Sequence, residues 1–321
     1  MQPVAKTLPL SKHFRLRAIA DGVYVALASA EGAAFSNAAV VDLGDRALIF
    51  DTFETHFAAQ DLRNAAERLT GRPATYVVNS HAHPDHWFGN QVFADHAAII
   101  ATHNARTEMA TFAADLKAEK EDRSELEAML GEQRRRLEAE TDERRRATLK
   151  RSVVRWEYTL AALPTFEVCF PSLTFDGKMV FHGTQRTVEL VALNSGHTSG
   201  DCYLLLPAEK IVLMGDLGFF QRQPFMADCD PEAWVAQLER FEQSDFETFV
   251  PGHGPVGAKA DIVLQREYLT TLEAMVAQAI REGKSLEATQ AGRLPAPFDA
   301  WSDDGTPLGI NVQVIYERLC G

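Results

Sequence analysis

Within six consecutive positions, His81-Ala82-His83-Pro84-Asp85-His86, the chain places three imidazoles and one carboxylate. Neutral imidazole and carboxylate are ligands for zinc and similar divalent cations, and a polar loop or a helix cap does not call for four of them so close together. On an extended segment, side chains two apart point the same way, so His81 and His83 can hold one cation. Where the chain then turns into a short helix, Asp85 and His86 project differently and can serve a second cation beside the first, as binuclear hydrolytic sites require. Three downstream segments carry matching chemistry at strand ends: His197 in Ser195-Gly196-His197-Thr198-Ser199-Gly200-Asp201, Asp216 in Met214-Gly215-Asp216, and His253 in Pro251-Gly252-His253-Gly254. Each alone is weak evidence, and their order behind the hexapeptide gives them weight. His13, His56, His96, His103 and His182 have no such setting and read as surface or core residues.

These groups need a scaffold, and the pattern around them supplies one. Short apolar runs at Val23–Ala28, Ala38–Leu43 and Ala47–Phe50, separated by turn residues, read as an antiparallel meander. An amphipathic helix over Phe57–Leu69, closed by Gly71 and Pro73, leads into the apolar strand Ala74–Asn79 that delivers His81. A short strand Ala97–Thr102 follows. Strands then resume at Leu173–Asp176, Met179–His182, Thr187–Leu193, Cys202–Leu206 and Ile211–Gly215, which read as a second set, and another at Thr248–Val250 runs into His253. Asp230 and Pro231 start a helix that presents Trp234, Leu238 and Phe241 on one face, and a longer one carries Leu269, Leu272, Val276 and Ile280.

Between the two sets of strands, residues Arg106 to Arg155 hold 13 Lys plus Arg and 12 Asp plus Glu in helix-favouring sequence. This predicts a charged helical hairpin, broken at Gly131, with Leu149, Val153, Trp156, Leu160 and Leu163 as its packing stripe. The stripe must bury itself beside the sandwich or against a second copy, so the insertion is expected to act as a lid or as a homodimer arm.

Composition narrows the classes of function. With 321 residues, 46% hydrophobic and 24% charged, the chain has length and apolar content for a substantial core. A formal net charge of −13 disfavours a nucleic-acid binder. No apolar run is long enough for a membrane span and no signal-peptide pattern is visible, so a cytoplasmic location is expected. Cys169, Cys202, Cys229 and Cys320 form no CxxC pair, which suggests neither a disulfide framework nor a thiolate zinc site.

The His-x-His-x-Asp-His arrangement, with its later motifs in order from about residue 20 to residue 257, resembles the metallo-β-lactamase superfamily. That resemblance implies an α/β fold, a four-layer αββα sandwich. Residues 1–321 are then a single domain carrying the helical insertion over about 105–163 and a C-terminal helical segment over about 258–321. It implies that His81, His83 and His197 hold one metal, that Asp85, His86 and His253 hold a second, and that Asp216 bridges them. Asp51, in Phe50-Asp51-Thr52, matches an aspartate that buttresses the site without ligating. The typical antibiotic-degrading branch has Cys or no ligand where this chain has Asp216, which points away from a dedicated β-lactamase. The diiron flavoproteins carry Glu at the position of His83 together with a flavin domain, and the nuclease branch adds further domains and a basic groove.

The implied activity is that of a zinc-dependent hydrolase of a small ester, thioester or lactone. Two Zn(2+) per chain would share a hydroxide that attacks the substrate carbonyl, with Asp85 orienting it and moving its proton. Iron or manganese suits the same donor set. β-Lactam hydrolysis or hydrolytic dehalogenation on the same site is the alternative, and a non-catalytic interaction protein with a degenerate site is the rival from another class. The expected partner is a small-molecule substrate, with no nucleic acid and no membrane. Its pocket is expected among Trp87, Phe35, Phe219, Phe220 and Phe225, with Trp156 and Tyr158 of the insertion facing it.

Overall fold

The computed structural model describes residues 7–302 and 308–320. The chain opens with β1 (Phe14–Ala20), β2 (Val23–Ala28), β3 (Ala38–Asp42) and β4 (Ala47–Phe50), an antiparallel meander. Helix α1 (His56–Thr70) then crosses over to β5 (Tyr76–Val78), which lies parallel to β4. Thr55 caps α1 by accepting from the Ala58 amide, and Gly71 ends it in the left-handed region at φ 75°. The short helix α2 (Pro84–Trp87) follows β5, and β6 (Ala98–Thr102) continues the parallel run.

Three helices come next: α3 (His103–Glu121), α4 (Ser124–Ala139) and α5 (Glu143–Ala162). After them β7 (Leu173–Phe175) pairs with β6 and completes a seven-stranded sheet, so this strand belongs to the first set and not, as the sequence suggested, to the second. The second sheet holds β8 (Lys178–His182), β9 (Thr187–Ala192), β10 (Cys202–Leu206), β11 (Ile211–Phe219) and β12 (Thr248–His253), in the order β12-β11-β10-β9-β8. Helix α6 (Pro231–Gln243) joins β11 to β12, which are parallel, and α7 (Lys259–Arg281), α8 (Leu286–Gln290) and α9 (Leu308–Cys320) close the chain.

The sheets stack face to face. Val25, Val41, Phe50 and Ile100 from the first meet Leu190, Leu204, Leu213 and Val250 from the second. On the outer face of the first sheet, Ala58, Leu62 and Leu69 of α1 pack on Val40, Ile49 and Val77. On the outer face of the second, Trp234 and Leu238 of α6 and Leu269, Leu272 and Val276 of α7 pack on Val212 and Phe249. The result is the αββα sandwich. Every residue of β4 and of β11 is buried, as covering by layers on both faces requires.

The charged insertion is three helices, not a hairpin broken at Gly131. That glycine lies inside α4, because one helical glycine costs only about 1 kcal/mol against alanine. The breaks fall instead around Asp122 and around Asp142, whose carboxylate accepts from the Arg144 and Arg145 amides and starts α5. The α5 stripe is buried within this chain: Leu149 and Val153 are covered, while Trp156, Leu160 and Leu163 join Trp87, Phe88 and Phe166 in one cluster. Among the described residues no helix is long and apolar enough to cross a membrane.

Candidate metal centre

The residues of the motifs lie in or beyond the C-terminal parts of their strands, on the side where the parallel pairs β4–β5 and β11–β12 open a crevice. Asp51 follows β4, the hexapeptide follows β5, His197 follows β9, and Asp216 and His253 sit in β11 and β12. The hexapeptide is fastened on both sides. The Asn79 amide donates to the His86 carbonyl at 3.0 Å, and the Trp87 indole donates to the Ala82 carbonyl at 2.8 Å. Pro84 starts α2, which turns Asp85 and His86 away from the line of His81 and His83.

Two groups of donors result, one of His81, His83, His197 and Asp216, the other of Asp85, His86 and His253, with the ligand atoms of each group within 4.8 Å of one another. His197 Nε2 lies 2.9 Å from His83 Nδ1 and 3.5 Å from Asp216 Oδ2. His253 Nε2 lies 3.3 Å from both Asp85 Oδ2 and Asp216 Oδ2, and His86 Nε2 lies 3.1 Å from Asp216 Oδ1. Asp216 therefore faces both groups with its two oxygens.

The site has unmet demand for a cation. His81 Nε2 is buried without a hydrogen-bond partner, and His86 Nε2 and Asp216 Oδ1 meet each other at 3.1 Å without good hydrogen-bond geometry, a costly condition in a protein interior that bound metal relieves. The protonation pattern has the same origin. Burial holds the His81 imidazole well below its usual range and pushes His197 down to about 3, so both favour the neutral form that ligation needs. Against burial, Asp216 and Asp85 push His253 up to about 9, and the same carboxylates with Asp51 hold His86 well above its usual range. Against burial again, His253, His86 and His81 keep the Asp216 carboxyl well below its ordinary value. Imidazolium protons here stand where divalent charge fits. The donor set of imidazoles and carboxylates suits zinc, iron or manganese.

A surrounding layer fixes the donors. Asp51 accepts from the Ser80 amide at 2.7 Å and the Ser80 hydroxyl at 2.9 Å, and its Oδ2 lies 2.8 Å from His86 Nδ1. That leaves His86 Nε2 aimed inward, with Asp51 behind the ring and outside both groups of donors. Asp51 itself sits at φ 64°, a left-handed conformation that only strong local constraints maintain in a non-glycine residue. Asp228 does for His83 what Asp51 does for His86, meeting its Nε2 at 2.9 Å and turning Nδ1 inward. Asp228 was not legible in the sequence, since it lies in a loop with no motif of its own. Gly252 leaves room for Asp216, because a Cβ there would run into Asp216 Oδ1. From behind, Gln265 of α7 receives the Phe219 amide at 2.8 Å and donates to the Leu217 carbonyl at 3.0 Å, bracing the end of β11.

The centre opens into a cleft of about 340 Å³. His83, Asp85, Asp216 and His253 form its floor, and Phe219, Phe225, Phe112 of α3, Ile310 of α9 and Arg155 of α5 form its walls. Of the expected aromatics, Phe219 and Phe225 line it. Phe35 lines a neighbouring cavity of about 260 Å³ that also reaches His253. Trp87, Phe220 and Trp156 do not line the cleft. Trp87 and Phe220 are at most 1% exposed, and Trp156 packs into the cluster beneath α3. Large aromatics beside the motifs serve here as core. Tyr158 faces away and meets His13 edge-on at 5.5 Å. The residues that sequence reasoning missed, Phe112, Arg155 and Ile310, come from the insertion and the C-terminal helix, where no motif marks them.

Residues 32–253 match the family model described as the metallo-beta-lactamase superfamily, and the chain belongs to that superfamily. Among solved structures, the metallo-beta-lactamase from Pontibacter korlensis is similar at 16% identity and TM-score 0.55, over 80% of this chain and 99% of that one. The metallo beta lactamase from Hirschia baltica is similar at 12% identity and TM-score 0.56, over 81% of this chain and 98% of that one. The stereoselective inverting sec-alkylsulfatase from Pseudomonas sp. is similar at 15% identity and TM-score 0.66, over 96% of this chain and 50% of that one. At such identities the likeness is one of fold. Comparison with curated proteins gives no match.

Proposed function

We propose that the chain is a two-metal hydrolase of a small ester, thioester or lactone. His81, His83 and His197 would hold one zinc ion, Asp85, His86 and His253 the second, and Asp216 both. The observation that carries this is the convergence of seven buried or nearly buried donors, several with unsatisfied inward atoms, at the floor of a cleft large enough for a small substrate.

Metal ions in such a site supply Lewis acidity and lower the pKa of water toward neutrality. Asp216, whose Oδ1 faces His86 and whose Oδ2 lies 3.3 to 3.7 Å from His253, His197 and His81, would offset the repulsion between two cations. Asp85 lies at the cleft floor with Oδ2 directed to His253 and His86, and its carboxylate is placed to orient an attacking water and to carry its proton to the leaving group. Asp51 and Asp228 hold His86 and His83 in the tautomers that present the inward nitrogen. Phe112, Phe219 and Phe225 exclude bulk water from one side of the reacting group.

The test is a hydrolysis panel with the zinc-loaded protein: aryl esters, alkyl thioesters, lactones, β-lactams, alkyl halides and, because a sulfatase is among the similar structures, alkyl sulfates. Turnover of the carbonyl esters, lost in Asp216→Ala, supports the reading. A panel on which only sulfates or halides turn over replaces it.

A further inference from the structure

We infer that Ser36 and Asn37 are positioning residues for the second metal ion, fixing Asp85 and His253 relative to each other without touching a metal. The inference rests on the two-metal reading above and concerns how the affinity of that site is set.

The donors of the second group come from both halves of the sandwich. Asp85 and His86 follow β5 of the first sheet, whereas His253 ends β12 of the second. The two sheets must therefore be held in register here, because metal–ligand distances tolerate errors of only about 0.2 Å. His253 is poorly placed to hold itself. It lies between Gly252 and Gly254, residues with wide backbone freedom, and Gly254 takes φ 101°. His86 and His83 lean on Asp51 and Asp228, but among the described residues no carboxylate meets His253 Nδ1.

Its backbone is held instead. Of the four successive carbonyls from Pro251 to Gly254, Asn37 serves three: its side-chain amide donates to Pro251 and to Gly254, each at 2.9 Å, and its backbone N–H donates to Gly252 at 2.7 Å. The fourth, on His253, receives the Phe220 amide at 3.0 Å. Asn37 is anchored to the first sheet, since its Oδ1 receives the amide of Ala28, the last residue of β2, at 3.1 Å. These partners also settle which end of the carboxamide faces which way: only its oxygen can receive an N–H, and only its nitrogen can donate to carbonyls.

Ser36 reaches the other way and donates its hydroxyl to the Asp85 carbonyl. Two adjacent residues of the β2–β3 connection thus grip the backbones of Asp85 and His253, whose side chains meet at 3.3 Å. Both are shut off from solvent, Ser36 fully and Asn37 to 5% exposure. Phe35, directly before them, holds φ 68°, a left-handed conformation that a non-glycine residue keeps only under strong constraint. The Thr55 hydroxyl, donating to the Ala33 carbonyl at 2.9 Å, is one such constraint. Among the described hydrogen bonds, none joins Ser36 or Asn37 to His81, His83 or His197.

Competitive titration of zinc against a chromophoric chelator, resolved into two equivalents, tests this. Asn37→Asp keeps the oxygen that serves Ala28 but turns an acceptor toward two carbonyls, and Ser36→Ala removes only the hydroxyl. Each is expected to weaken the second zinc ion by about 10–100-fold while the first binds as in wild type. Turnover should fall with the second ion and return at zinc concentrations that refill it. A merely structural role predicts another pattern, a lower melting temperature of the chelated protein with both affinities unchanged. Leu206→Ala, in the buried core beside Ile211 at the opposite end of β11 from the site, supplies that pattern for comparison. If Asn37→Asp does not fold, Ser36→Ala alone decides. Wild-type affinity for both ions in the variants, or equal weakening of both, overturns the inference and leaves the two-metal reading standing. A wild-type protein that binds fewer than two ions removes that reading and the inference with it. Should wild type bind two ions and turn over no ester, the hydrolase reading falls, and the same titration still decides the inference.

Discussion

Asp51 offers the sharpest separation between holding the fold and holding a metal ligand. At 1% exposure its carboxylate serves three donors: the Ser80 amide, the Ser80 hydroxyl and His86 Nδ1. In Asp51→Ala the hydroxyl can turn to His81 Nδ1, 3.0 Å away, and the imidazole N–H keeps only a long 3.4 Å contact to the Ser80 oxygen, while the amide is left without an acceptor. One stranded donor at about 1–3 kcal/mol and one poorly served at up to about the same give a total loss of about 1–6 kcal/mol, part of it in stability and part in metal affinity. Asp51→Asn divides the two. Its carbonyl oxygen still receives the Ser80 amide, whereas its amide group faces His86 Nδ1 and favours the tautomer protonated at Nε2, the atom that must ligate. The asparagine variant should therefore melt closer to wild type than the alanine variant, yet bind the second zinc ion about 10–100-fold more weakly. Zinc titration in competition with a chromophoric chelator measures the affinity, and thermal unfolding of the chelated protein measures the stability. Wild-type affinity for both zinc equivalents in Asp51→Asn would refute the reasoning.

Three further outcomes are expected. Gly252→Ala drives a methyl group into Asp216 Oδ1 and should retain the secondary structure by circular dichroism while losing zinc affinity and about 100-fold in activity, the scale of misplacing a reacting group by about 1 Å. Asp228→Ala should weaken zinc binding less than Asp51→Ala does, by about tenfold at most, because the Asp228 side chain is 54% exposed and water can take its place beside His83; equal losses by the same titration would count against this. The third concerns pH. His253, raised from 6.5 to about 9, contributes stability to the chelated protein that is complete below 6.5 and lost as pH rises through 9, whereas neutral histidines favour zinc binding over the same range. The melting temperature of the chelated protein should fall across that window relative to the zinc-loaded protein, and parallel curves would contradict it.

Strand pattern and chemistry were legible in the sequence wherever a local rule governs both. The run Ala47–Phe50 reads as a buried strand and is one, and the hexapeptide declares its purpose because six residues suffice to place four donors. The strand Phe14–Ala20 was missed, although Phe14 and Leu16 alternate inward with exposed Arg15 and Arg17, because two charged residues mask a period-two signal in so short a segment. Gly131 misled because a glycine inside a helix is tolerated, and the true breaks lie at caps such as Asp142. Trp87 misled in the other direction. Its place beside the metal motif suggests substrate, but its indole ties α2 to Ala82 and is fully buried. Arg155 and Glu54 lie 101 residues apart in the chain, and only the docking of α5 against the loop after β4 brings them together.

The central claim is that seven residues from four strands make one site for two metal ions that performs hydrolysis. Zinc content after equilibrium dialysis, measured by elemental analysis together with ester hydrolysis on the same samples, tests it most directly. Wild type is predicted to hold two zinc ions per chain and to lose activity as the chelator removes them. Asp216→Ala is predicted to hold fewer than two and to be inactive while remaining folded. A wild-type protein that stays folded but binds no zinc, iron or manganese, or an Asp216→Ala variant with two ions and full activity, would contradict it.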